Sequence, residues 1–171
     1  LGAHAVIDRT EFDHWGPLPD VGDEVAWMRW GLGAIAFRDR FSAVLGRRAR
    51  PTIVFEHVGC DTLPTSIFMC DNAGMVVLCG ATSGYKADLD LRLLWMRSKR
   101  LQGSHGANPP EQHRFNALVM QKQIDPCLSR TGRFDEVGTL HQLMHDNAHP
   151  CGNMAMLVNA PRTGLRGYPF D

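Results

Sequence analysis

The chain has 171 residues, with 18 basic and 18 acidic side chains and a formal net charge of zero. That length supports a sizeable core, and the charge balance argues against a binder of nucleic-acid backbones, which carries a basic excess. No apolar run is long enough to cross a bilayer, no signal peptide is visible, and five cysteines without a CxxC pair fit a reduced, cytoplasmic protein better than a disulfide scaffold.

Ala5 to Ile7 is a short apolar strand candidate, followed by a polar loop over residues 10–22 with Gly16, Pro17 and Pro19. The opening LGAHAVID, with no initiator methionine, reads as a start in the middle of a fold. Asp23 can cap a helix to about Leu45, with Val25, Met28, Leu32, Ile35 and Ala36 at helical spacing. Gly46 ends it, and Arg47, Arg48 and Arg50 read as a solvated helix end. Thr52 to His57 is a short buried strand, and Asp61 or Thr62 caps a helix with Pro64 in its first turn and Gly74 as terminator. Met75 to Cys79 is a continuous apolar run, as in a strand buried on both faces.

A short helix over residues 89–98 leads to a strand at Arg100 to Gly103. Pro110 opens a helix to about Gln123, with Phe115, Leu118, Val119 and Met120 on its apolar side. Cys127 to Phe134 reads as strand plus turn, Asp135 to about Asn147 as helix with Val137, Leu140 and Met144 inward, and Met154 to Val158 as a final strand. This alternation predicts an α/β fold with a parallel sheet and helices on both faces.

Two strands open into glycine-bearing loops, GMVVLCGATSGY (Gly74 to Tyr85) and RLQGSHGAN (Arg100 to Asn108). Ligands in open α/β sheets bind just past the carboxyl ends of the strands, so two such exits predict a nucleotide cofactor across the sheet edge. His141, His145 and His149 are spaced by four, but there is no HExxH and no acidic ligand in step, so no metal site is expected.

The strings VFEHVGCDT, GMVVLCGATSGY, LWMRSKRLQGSHGAN and GNMAMLVNAPRTG, in that order, resemble the back half of a medium-chain dehydrogenase/reductase. More narrowly they resemble the crotonyl-CoA carboxylase/reductase family, the reductive enoyl-CoA carboxylases. The resemblance runs over nearly the whole chain, and GSH-x-AN and LWM-x-x-KR-x-x-GSH are its most specific strings. It implies a Rossmann-type parallel sheet, incomplete because its first strands and glycine-rich pyrophosphate loop lie outside the chain, over residues 1–125. Residues 126–171 would return to a GroES-like catalytic domain. The implied reaction is reductive carboxylation of a 2-enoyl-CoA with NADPH and carbon dioxide, giving an alkylmalonyl-CoA, in a homo-oligomer such as a tetramer.

The same resemblance assigns His105 to holding carbon dioxide, with a glutamate outside this chain, acting through water. Imidazole can donate to a water or to a developing carboxylate. Cys79, Gly80, Ala81 and Thr82 are implied to pass the nicotinamide and its ribose. Ser104 and Asn108 are implied to orient the His105 loop, Ser104 touching the cofactor and Asn108 lining the substrate pocket, and Asn153 is placed at the cofactor. Many relatives carry a bulky residue where Gly106 stands. A wider acyl pocket, suited to a medium-chain substrate such as octenoyl-CoA and to supplying polyketide extender units, competes with a simple backbone need for positive φ. Glu56 and His57 read as structural. Two other readings stay open: an enoyl-CoA or quinone reductase that fixes no carbon dioxide, and a non-catalytic cofactor-binding or assembly module.

Overall fold

A computed structural model describes residues 3–159. They fall into two compact units that divide between Gly106 and Ala107. In the first, α1 (Glu24–Val44), β1 (Ile53–Glu56), α2 (Leu63–Met69), β2 (Met75–Leu78), α3 (Arg92–Trp95) and β3 (Arg100–Gly103) follow one another. The three strands pair in parallel in chain order, Glu56 opposite Leu78 and Leu78 opposite Gly103. Parallel strands joined by helical crossovers are the expected α/β arrangement. All three carboxyl ends therefore lie along one edge of the sheet.

A small core holds this unit together. Leu63, Ile67 and Cys70 of the α2 region are buried against Val76 of β2, with Val54, Leu89, Leu93 and Leu94 packed around them. Of the apolar run on β2, Val76 alone is fully buried, and its neighbours are half-covered. Lys99 reaches under α2 and donates to the carbonyls of Ile67 and Phe68, filling acceptors that the helix end leaves unpaired. Burial pulls its pKa down to about 8.

Four sequence expectations are corrected here. Ala5 to Ile7 forms no strand, because it has no ladder partner among the described residues. The buried stripe of α1 is not the aliphatic one: Val25, Met28, Leu32 and Ile35 are exposed, while Trp30 and Ala34 are buried. Trp30 stacks edge-on against Phe68 with ring centroids 6.0 Å apart and tilts against Trp27 at 5.5 Å; the larger aromatic surfaces win the inward face. Gly74 does not end α2, which stops at Met69. A Cβ on Gly74 would lie 2.7 Å from the Cys70 sulfur and 2.8 Å from the Thr52 carbonyl oxygen, so glycine is there for close approach. The apolar side of the Pro110 helix, α4 (Pro109–Met120), is not covered: Phe115, Leu118 and Met120 stay exposed.

The second unit carries α4, β4 (Leu128–Arg133), a 3₁₀ turn at Phe134–Glu136, α5 (Val137–His145) and β5 (Asn153–Leu157). β4 and β5 pair in parallel, and Leu140 of α5 is its buried anchor.

His14 makes a pH-sensitive point in the first unit. It is 6% exposed, stacks 4.4 Å from Trp15, and neither ring nitrogen finds a partner among the described residues. Burial lowers its pKa below 6.5, against a smaller opposing pull from Asp13. The folded state therefore resists a proton that the unfolded chain accepts, and stability falls as pH drops through 6.5. In urea unfolding, His14→Phe is expected to remove this part of the acid sensitivity; an unchanged pH profile would show that His14 does not contribute.

Candidate functional site

The carboxyl edge of the three-stranded sheet is organised by one buried carboxylate. Glu56, the last residue of β1, is 3% exposed. Its Oε1 accepts from the backbone N–H of Val58 at 2.8 Å and of Gly59 at 3.1 Å, and from Thr62 Oγ1 at 2.7 Å. Its Oε2 accepts from Ser66 Oγ. An ionised carboxylate, an acceptor only, suits four donors. This explains why Thr62, the residue before α2, makes no side-chain bond to its own helix: its hydroxyl is spent on Glu56.

The loop so bent is laced to the loop after β2. The Ser83 N–H and hydroxyl both donate to the Val58 carbonyl, at 2.8 and 2.9 Å. Ser83 Oγ in turn accepts from Asp61 N–H at 3.1 Å, and the Cys60 thiol donates to the Ser83 carbonyl at 3.2 Å. Gly59 and Gly84 form an isolated parallel bridge. Between these ties lies Gly80. A Cβ there would stand 2.8 Å from the His57 carbonyl oxygen and 3.0 Å from its ring. Glycine is there for close approach, since any side chain would collide with His57. The Cys79 N–H donates to the Glu56 carbonyl at 3.0 Å, continuing the ladder past the ends of β1 and β2. Cys79, Gly80 and Ala81 are half-covered, and Thr82 is exposed.

The third exit follows β3. The Ser104 N–H donates to the Leu78 carbonyl at 2.9 Å, so the loop leaves directly beside the end of β2. His105 is exposed, and its imidazole has no hydrogen-bond partner among the described residues. Gly106 sits at φ +61°, where side chains are disfavoured, yet nothing lies within 4 Å of where a Cβ would be. The backbone setting is one that glycine suits, and the side-chain direction is open space. The first unit brings Cys79, Gly80, Ala81, Thr82, Ser104 and His105 to one sheet edge.

Asn108 and Asn153 belong to the second unit. Asn108 caps α4, accepting from Glu111 N–H at 3.0 Å while its own N–H donates to the Glu111 carboxylate at 2.9 Å. Asn153 opens β5 and ties Pro126 through its side-chain amide at 2.7 Å. Among the described residues, no three His, Cys, Asp or Glu side chains come together to hold a metal ion. The lacing by Thr62, Ser66 and Ser83 was not read from the sequence. A serine or threonine five to ten residues past a strand end is too common a signal to find it.

Replacing Glu56 with Gln puts an amide N–H₂ where an acceptor is needed. The expected cost is ~1–3 kcal/mol, the range for a buried group left unpaired. Amide hydrogen exchange at Val58, Gly59 and Ser83 should accelerate selectively, while protection at Val76 changes less. Uniform acceleration would mean that Glu56 stabilises the whole unit rather than its loops.

A family model described as zinc-binding dehydrogenase matches residues 1–123. The chain is 40% identical over 168 residues to a crotonyl-CoA carboxylase/reductase of Cereibacter sphaeroides, covering 98% of this chain and 39% of that protein. It also superposes on the structure of crotonyl-CoA carboxylase/reductase AntE in complex with NADP, with a TM-score of 0.89 and 61% identity over 94% of this chain and 40% of that one. The 2-octenoyl-CoA carboxylase reductase CinF, solved with NADP and 2-octenoyl-CoA, gives a TM-score of 0.74 at 32% identity over 93% of this chain and 34% of that one. The chain thus spans about two fifths or less of the length of these relatives. It belongs to the zinc-binding dehydrogenase family and, over nearly its whole length, is similar to crotonyl-CoA carboxylase/reductases.

Proposed function

We propose that this chain is the cofactor-bearing part of a longer, NADPH-dependent reductive carboxylase that turns a 2-enoyl-CoA into an alkylmalonyl-CoA. NADPH supplies a hydride to the β-carbon, and the α-carbon of the resulting enolate bonds to carbon dioxide, so one carboxyl group is gained and no proton is added. The observation that carries this reading is the joint edge of β2 and β3, where the Gly80 loop and the His105 loop leave side by side.

The residues present fit a nicotinamide nucleotide. The loop after β2 carries the small residues Gly80 and Ala81 at the strand exit, and the Thr82 hydroxyl and Ser104 stand at the same edge. Cys79, Gly80, Ala81, Thr82 and Ser104 would hold the nicotinamide end; the roles given to Asn108 and Asn153 rest on the resemblance. His105, free of partners within the described chain, can donate to a water or to the forming carboxylate. Its work is to orient carbon dioxide and to keep the enolate from being quenched by a proton.

The open space beyond Gly106 supports a medium-chain acyl group. A product of that kind would serve as a polyketide extender unit, and the parent protein would be a homo-oligomer of the cytoplasm. The five free cysteines support that location.

The test follows NADPH oxidation by the full-length protein with crotonyl-CoA and 2-octenoyl-CoA, with and without bicarbonate, and weighs the products. A mass gain of one carboxyl group establishes the reaction. A saturated acyl-CoA alone would make the protein a simple reductase, and no oxidation with either substrate would favour a non-catalytic module. His105→Ala should shift the product from carboxylated to reduced by about a hundredfold. Gly106→Phe should move selectivity toward crotonyl-CoA, with Gly106→Ala as the control for strain at φ +61°. If both variants lose activity equally on both substrates, backbone conformation and not pocket volume is what Gly106 provides.

A further inference from the structure

The sequence shows Arg47, Arg48 and Arg50 as a solvated helix end, but the fold changes that setting. Arg38, from the middle of α1, and Arg97, from the turn before β3, line the same cleft as Arg48 and Arg50. The cleft lies at the amino ends of the strands, the edge of the sheet opposite the glycine loops. It holds about 670 Å³, within the ~300–1,000 Å³ usual for small-molecule sites. Only two carboxylates, Asp39 and Asp71, share it with the four guanidiniums. Asp39 is already taken by Arg38, at 2.7 Å.

Arg50 is the fixed point of the cluster. Its Nη1 donates to the Phe68 carbonyl at 2.7 Å, and its guanidinium stands 5.4 Å over the Phe68 ring. That leaves most of its N–H donors for a ligand. Its pKa is lowered first by burial and then by the charges of Arg97, Arg38 and Arg48, with Asp71 pulling the other way. Like charges gathered in a half-covered cleft repel one another, and an anion among them removes that repulsion. Arg48 and Arg97 are exposed at the mouth; Arg97 spends one donor on the Asn72 side-chain oxygen at 3.3 Å and keeps its others for such an anion.

We propose that this cleft binds a phosphate-bearing anion, with Arg48, Arg50 and Arg97 taking its oxygens. The planar fork of each guanidinium matches two oxygens of one phosphate, which favours phosphate over a spherical ion such as chloride. The cleft exceeds what a single phosphate fills, so the phosphate is carried on a larger group or paired with a second one. Its source is either coenzyme A or a separate phosphorylated compound. The site itself does not depend on the proposed reaction.

The test titrates inorganic pyrophosphate into the full-length protein by calorimetry and needs no turnover. Saturable binding that weakens at least about tenfold in the Arg48→Ala/Arg97→Ala pair, the loss of roughly one charge-assisted bond, upholds the site. Arg48→Lys/Arg97→Lys keeps the charge and should bind with intermediate strength. Absent binding, or equal binding to all three proteins, overturns the proposal. The same titration with coenzyme A present separates the sources. Competition by coenzyme A but not by its form lacking the 3′-phosphate assigns that phosphate to the cleft. Undiminished pyrophosphate binding assigns the cleft to a separate phosphorylated compound.

Discussion

The carboxylate of Glu56 is the constraint on which the carboxyl edge of this molecule depends. A charged group at 3% exposure is tolerable only if its oxygens are fully occupied. Here the occupants are two backbone N–H groups and two hydroxyls from the segment that follows β1. Satisfying the charge and bending the loop are therefore one event. The bend presents the Val58 carbonyl to Ser83, and through Ser83 the loop after β2 is set in turn. The close approach of Gly80 to the His57 backbone and ring completes this chain of contacts.

Much of the first unit was legible in sequence because its signals are local. Met75 to Leu78 is an uninterrupted apolar run, and Asp23 caps α1 by accepting from Ala26 N–H at 2.9 Å, as a helix start with that residue should. What failed was non-local. Whether Ala5 to Ile7 becomes a strand depends on a neighbour, and periodicity cannot supply one. The inward face of α1 depended on Phe68, far along the chain, which Trp30 meets and which no helical pattern encodes.

The candidate site divides in the same way. His105 and Gly106 were singled out because a specific string surrounds them, and the exposure of the His105 loop was not readable from that string. Glu56 read as structural, but its four donors come from residues up to ten positions away whose types are common in any loop. The arginine cleft was hidden for a plainer reason. Arg38 and Arg97 lie 59 positions apart in the numbering and meet only because parallel strands bring every amino end to one edge.

The outer edge of β1 has a wider meaning. Among the described residues β1 pairs on one side only, with β2, and Ile53 and Phe55 remain 65% and 71% exposed. A flat apolar strand with an unbonded row of amides is a template for any passing extended chain. Handled alone, this polypeptide is thus prone to self-association by strand capture, and its behaviour in isolation reports on that open border as much as on the chemistry at the far side of the sheet.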